Sequence, residues 1–64
     1  MTKNYLVTYQ AYYWDVDGPQ IRQEEITLDG VDDMTDGQIV LELQNSLIGG
    51  YIKAAVVLNF WELD

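Results

Sequence analysis

The side chains of this sequence best suited to chemistry are closely spaced carboxylates. The segment LDGVDDMTDG at 28–37 contains four aspartates, and DVDG at 15–18 contains two more. Carboxylates at this spacing can hold a cation, share acid–base work, or present an array of negative charge to a partner. The rest of the sequence helps to separate these three possibilities.

A calcium site requires more ligands than either segment supplies. Calcium loops place oxygen ligands at alternating positions, with a third ligand before the glycine and a glutamate further along the chain. Neither DVDG nor DDMTDG meets both requirements. We therefore interpret the two segments as turns and a helix cap, and we expect neither a metal ion nor a cofactor.

Catalytic groups are scarce throughout the chain. Cysteine and histidine are absent, which excludes thiol nucleophiles, imidazole bases and the metal sites that these side chains form. Ser46 is the one serine, and it falls on the polar face of a predicted helix. Glu24 and Glu25 are neighbours on a predicted strand and point to opposite faces, so they cannot flank one substrate bond. We therefore predict a protein that is not an enzyme and has no catalytic residue.

Length and charge restrict the class of partner. We expect residues 1–64 to form one small domain, and a content of 48% hydrophobic residues excludes a disordered chain. The net charge of −8 opposes binding to nucleic acid and to anionic membranes, but it permits a basic protein partner. No signal peptide or membrane-spanning run is evident, and the absence of cysteine fits a reducing cytoplasm.

The first half of the chain predicts a β-hairpin. Asn4–Trp14 is rich in tyrosine, valine and threonine, as strands prefer, and Gln20–Leu28 forms a second strand after the turn-forming segment DVDGP. The second strand alternates imperfectly, which predicts a bulge near residues 23–25. Its charged side chains, such as Arg22, are typical of an edge strand. The core face of the first strand should comprise Tyr5, Val7, Tyr9, Ala11 and Tyr13.

A helix follows, and its start is the most specific local pattern in the sequence. Thr35 and Gln38 match a capping box, in which each residue binds the backbone of the other. Met34 and Ile39 match a hydrophobic staple across the same turn. Asp36 lies in the first turn, where the helix dipole favours a negative charge.

The end of that helix and the last strand are predicted from glycine and from alternation. Gly49 is suited to the left-handed conformation that ends helices, so the helix should run from Asp36 to Ile48. Its apolar stripe consists of Ile39, Val40, Leu43 and Leu47. Tyr51–Glu62 then forms a third strand that is largely apolar on both faces. One face is Ile52, Ala54, Val56, Leu58 and Phe60, and the other includes Tyr51, Ala55, Val57 and Trp61.

Together these elements predict an α+β fold of the ββαβ type. A three-stranded, mainly antiparallel sheet in the order 2-1-3 satisfies a right-handed crossover, with one helix packed on one face. One helix cannot cover both faces of the sheet, so several apolar side chains should stay uncovered. They are Tyr12, Trp14, Val57, Trp61, Leu41 and Ile48. Within this set we assign Leu41, Ile48 and Val57 to a homodimer interface.

The predicted topology also gathers carboxylates at one end of the sheet. That end should hold Asp29, Asp32, Asp33, Asp36, Glu62 and Asp64. Crowding of like charges costs stability, so it requires an explanation. Either the charge keeps a small apolar protein soluble, or it copies the regularly spaced phosphates of DNA. Asp32 and Asp33 bear most on this choice, because the local sequence gives them no role in a turn or a cap.

Four segments define the layout of the chain: the strands NYLVTYQAYY and IRQEEITL, the capped helix MTDGQIVLELQNSLI and the strand YIKAAVVLNFW. A short, acidic, cysteine-free ββαβ chain resembles the small phage-encoded inhibitors of host nucleic-acid-handling proteins. That class includes uracil-DNA glycosylase inhibitors, other DNA mimics and some anti-CRISPR proteins. The resemblance implies an acidic strand or loop that occupies a basic groove, and a partner pocket that grips one apolar side chain.

Two functions therefore remain open. The first is an inhibitor in the host cytoplasm that binds a basic, nucleic-acid-binding protein by DNA mimicry and does not bind nucleic acid directly. Its candidate partner-binding residues are Glu24, Glu25, Asp29, Asp32, Asp33, Asp36, Tyr12, Trp14 and Trp61. The alternative is a homodimeric structural or assembly module, in which the acidic charge serves only solubility.

Overall fold

The computed structural model describes residues 1–63 and confirms the predicted α+β fold. Two long strands, β1 (Thr2–Tyr13) and β2 (Pro19–Asp29), form an antiparallel hairpin. A third strand, β3 (Ile52–Leu63), pairs antiparallel with the other side of β1, so the strand order is β2-β1-β3. Between β2 and β3 the chain forms the helix α1 (Asp36–Leu47), which follows a short 3-10 helix at Val31–Asp33 that the sequence did not predict.

The hydrophobic core lies between α1 and one face of the sheet. Alternation along β1 buries the predicted side chains, and Tyr13 at the end of the strand packs against them. Val31 is also buried, so the 3-10 helix closes one end of the core. The buried set comprises Tyr5, Val7, Tyr9, Ala11, Leu28, Val31, Ile39, Leu43, Leu47 and Ala55.

The start of α1 has the predicted capping box. The Thr35 hydroxyl oxygen accepts a hydrogen bond from the Gln38 backbone N–H at 3.3 Å, and the Gln38 side chain accepts one from the Thr35 N–H at 2.9 Å. Ile39 is buried and Met34 packs against the core, as the hydrophobic staple requires. The local sequence therefore fixes where this helix begins.

The end of α1 differs from the prediction in two details. The helix stops at Leu47, and Ile48 is an extended C-cap residue. The left-handed residue is Gly50, with φ of 56°, whereas Gly49 has φ of 146°. Gly50 lies inside a tight turn that Gly49 and Ile52 close with backbone hydrogen bonds of 3.0 and 2.9 Å. The positive φ thus serves the turn into β3 rather than the helix end.

The predicted bulge at residues 23–25 of β2 is wrong. The register between β1 and β2 is continuous from Thr2 opposite Asp29 to Tyr12 opposite Pro19. Ile21 breaks the apolar alternation of β2 because it lies on the uncovered face of the sheet, opposite Gln10. The irregularity in the sequence therefore reflects an exposed isoleucine and not an inserted residue.

The bulges lie in β3 instead, and they overturn the predicted faces of that strand. The register between β1 and β3 shifts twice, leaving Leu58 and Lys53 without partners in β1. Each inserted residue reverses the alternation that follows it. As a result Val57 faces α1 and Val56 faces away, the opposite of the prediction. The helix-facing residues of β3 are Ile52, Ala55, Val57, Phe60 and Glu62.

A side chain of the helix secures this irregular strand. Gln44 on α1 accepts a hydrogen bond through its Oε1 atom from the backbone N–H of Val57 at 3.2 Å. Val57 immediately precedes the unpaired Leu58, so the contact satisfies a backbone donor at the bulge. Nothing in the local sequence identifies Gln44 as this acceptor.

Candidate partner-binding surface

The face of the sheet opposite α1 has no helix packed on it, and we call it the open face. It comprises the even-numbered residues of β1 from Thr2 to Tyr12 and the odd-numbered residues of β2 from Pro19 to Asp29, together with the β3 residues that pair with them. The described surface contains no enclosed pocket.

Polar and apolar rows alternate along the open face. In one row Glu25, Leu6 and Trp61 lie side by side across the three strands, and Trp61 is 47% exposed. The next row is polar, and there Gln23 donates a hydrogen bond to the Thr8 hydroxyl at 3.2 Å. A carboxylate thus lies in the same row as an exposed tryptophan on a rigid sheet.

Two of the three basic side chains, Lys3 and Arg22, lie on the helix side of the sheet. Lys3 is on the helix side and forms an ion pair of 3.0 Å with Glu62, whose hydrogen bond and charge raise the pKa of Lys3. Arg22 is opposite Tyr9, also on the helix side. Lys53 lies at a bulge with its Nζ 5.7 Å from the centre of the Trp14 ring. Among the described residues, the paired neighbours of the open-face carboxylates Glu25 and Asp29 include no lysine or arginine.

The predicted acidic end is present at the end of the sheet where β1 begins and β2 and β3 finish. Asp29 ends β2 and accepts a hydrogen bond from the Thr2 hydroxyl. Asp32 lies 3.5 Å from the amino group of Met1, which gives it a local contact that the sequence analysis missed. The other described members are Asp33, Asp36 and Glu62. Asp64, predicted to join them, lies outside the described residues.

The structure divides the predicted partner-binding residues. Glu25, Asp29 and Trp61 share the open face, and Asp32, Asp33 and Asp36 follow Asp29 at its end. Tyr12 is on the same face but at the far end, opposite Pro19. Glu24 faces the helix side, and Trp14 is exposed beyond the far end of β1. The predicted partner-binding set did not include the open-face residues Leu6, Ile21 and Val56, and the bulges concealed the position of Val56.

The predicted dimer interface loses one of its three residues. Leu41 and Ile48 are exposed, as expected for residues outside the main stripe of α1. Val57 is half-buried against the core, so it faces α1 and not the uncovered surface on which it was predicted. The reason is again the pair of bulges, which turn Val57 toward the helix.

Tyr9 and Glu24 form a polar contact at the margin of the core. Burial raises the pKa of Tyr9 to about 12, and a hydrogen bond to Glu24 and the charge of that carboxylate act in the same direction. The neutral phenol is therefore favoured in the folded state.

This contact predicts a loss of stability in alkali. Above pH ~10 the unfolded tyrosine ionises while folded Tyr9 keeps its proton, so the free energy of unfolding should fall until about pH 12. Urea denaturation of the wild type and Tyr9→Phe at neutral and alkaline pH would measure this. Tyr9→Phe should lose less stability over that interval, whereas Tyr12→Phe should lose as much as the wild type. Equal losses in all three proteins would contradict the assignment.

The described residues 1–63 include no helix with the length and apolar character needed to cross a membrane. Nor do any three of their carboxylates come together as metal ligands would. Comparisons of the chain with protein-family models, with curated proteins and with solved structures found no match.

Proposed function

We propose that this chain is a non-enzymatic binding protein that occupies the basic, nucleic-acid-binding surface of another protein in the cytoplasm. Its carboxylates would take the positions that phosphates occupy in the partner's usual ligand. The observation that carries this proposal is that two carboxylates of the open face have no lysine or arginine paired beside them. Glu25 and Asp29 lie on the open face, while Lys3 and Arg22 lie on the other face.

The dimensions of the acidic surface suit this role. Glu25 and Asp29 are four residues apart on one strand, which corresponds to about 13 Å. Phosphates of one DNA strand advance ~3.4 Å along the helix axis per nucleotide, so the two carboxylates span roughly four such steps. Asp32 and Asp33 continue the negative surface beyond Asp29.

Apolar contact would supply affinity that exposed charges alone do not. Charged groups at the rim of an interface mainly accelerate and orient binding, whereas buried aromatic anchors contribute most of its free energy. Trp61 lies in the same row as Glu25, with Leu6 between them. We therefore assign Trp61 as the anchor and the carboxylates as the groups that select a basic partner.

An affinity experiment tests the proposal. The immobilised protein is exposed to cell lysate at low salt, and retained proteins are eluted with duplex DNA and identified by mass spectrometry. Nucleic-acid-binding proteins should be retained and then displaced by DNA. The double variant Glu25→Gln/Asp29→Asn should retain far less of them. A matched control, Asp15→Asn/Asp17→Asn, changes the charge equally at the opposite end and should behave as the wild type does.

The alternative, a homodimeric assembly module, is favoured by the exposure of Leu41 on α1 and of Ile48 just after it. In that case the acidic residues would serve only solubility. DNA mimicry would be rejected if neither double variant changed the retention of partner proteins, or if DNA did not displace the retained proteins. The assembly-module function would then remain.

A further inference from the structure

The outer edge of β2 is regular and unpaired. The strand pairs with β1 alone, without a register shift between Pro19 and Asp29. Within the described residues, the side chains of β2 that form hydrogen bonds do so with side chains of β1. No side chain forms a hydrogen bond with the backbone of β2. A long regular edge offers its backbone groups to a further strand.

The opposite edge of the sheet is protected. The two bulges leave Leu58 and Lys53 out of the ladder of β3, which interrupts its regular outline. Side chains also occupy two of its backbone N–H groups: Gln44 binds that of Val57 at 3.2 Å, and Asn59 binds that of Phe60 at 2.9 Å. Strand addition is therefore expected at β2 and not at β3.

When two copies of β2 pair antiparallel, one register places the positive side chain of each copy opposite a negative side chain of the other. When two copies pair about a two-fold axis, facing residues lie on the same side of the joined sheet. With the axis at Gln23, Arg22 of each copy faces Glu24 of the other. With the axis one residue away, two Glu24 carboxylates or two Arg22 guanidinium groups would face each other. Charge thus favours this register over both of its neighbours.

Within residues 1–63, the middle of β2 is accessible on the helix side as well. Gln20, Arg22 and Glu24 are on the helix side of the sheet, yet all three are exposed because α1 leaves this part of β2 uncovered.

We propose that the chain forms a homodimer in which β2 strands pair antiparallel across Gln23 to make a six-stranded sheet. Two symmetry-related Arg22–Glu24 ion pairs fix the register. The charges that prevent indiscriminate pairing of this edge thereby permit one partner, a second copy. The interface is independent of the proposed function, and it differs from the one predicted at Leu41 and Ile48. Because it is a strand edge, we expect reversible association at roughly micromolar concentrations.

Sedimentation equilibrium with charge-exchange variants tests the register. The wild type should reach twice its mass of 7.4 kDa reversibly. Arg22→Glu and Glu24→Arg should each weaken association by about tenfold or more, since both ion pairs become repulsive. The double variant Arg22→Glu/Glu24→Arg restores opposite charges and should associate within about threefold of the wild type. Leu41→Lys should have no effect.

Disulfide trapping gives a second readout, because the natural chain has no cysteine. Gln23→Cys places two thiols on the axis, with Cα atoms ~5 Å apart, within disulfide range. Ile21→Cys lies on the same strand and face, but its two copies would be about 13 Å apart along the strands. Oxidation should yield a covalent dimer of the first variant and little of the second. The proposal would be overturned if the wild type stayed monomeric, or if the double variant associated as weakly as either single variant. It would also be overturned if Leu41→Lys dissociated the dimer, or if both cysteine variants formed covalent dimers equally.

Discussion

Replacement of Leu43 by alanine is expected to lower the free energy of unfolding by about 2–5 kcal/mol. Leu43 is 0% exposed and lies in the middle of the apolar stripe of α1. Truncation removes the transfer free energy of the lost atoms and leaves a cavity that a tightly packed core fills incompletely. Domains of this size have only about 3–5 kcal/mol of stability, so a substantial fraction of the variant should be unfolded at room temperature.

Urea denaturation followed by circular dichroism would measure this loss. Leu41→Ala is the matched control, because Leu41 is in the same helix and is 59% exposed. Its change should stay within about 0.5 kcal/mol, as for most surface substitutions. Similar losses in the two variants would contradict the orientation of α1 on the sheet.

The success of the sequence in predicting α1 has a local cause. Thr35 and Gln38 satisfy each other's backbone groups over a single turn, so their pattern does not depend on the rest of the fold. The stripe that includes Leu43 repeats with the period of a helix, which identifies the buried side directly. The topology followed because a hairpin and a right-handed crossover leave few arrangements of three strands.

The open face could be predicted only in part, for reasons that lie in β3. Both faces of that strand are largely apolar, so an inserted residue leaves no trace in the polar alternation. The opposite orientations of Glu24 and Glu25 were predictable from the period of a strand. Which of them shares a face with Trp61 was not, because this depends on the pairing of all three strands. The contact of Asp32 with Met1 likewise depends on where the fold places Met1, which the local sequence does not indicate.

The ring of Phe60 shows why a bulge is required. Phe60 packs edge-on against Tyr5 on the helix side, with ring centres 5.8 Å apart. Val57 also faces the helix side, opposite Tyr9, although it is three residues from Phe60. In a regular strand, residues separated by an odd number lie on opposite faces. Both side chains can reach the core only if one residue between them, Leu58, is extra.

Aspartate at Val57 and aspartate at Val56 should therefore have unequal effects on stability. Val57→Asp removes apolar contact with the core and places a carboxylate there, which should cost roughly 2–4 kcal/mol. Val56→Asp changes a residue of the open face and should cost about 1 kcal/mol, mainly through the poor strand preference of aspartate. The two variants have the same net charge, so general repulsion cancels from the comparison. Urea denaturation provides both values. The reverse order would mean that β3 has no bulge at Leu58, because an unbroken alternation from Phe60 turns Val56 toward the helix and Val57 away from it.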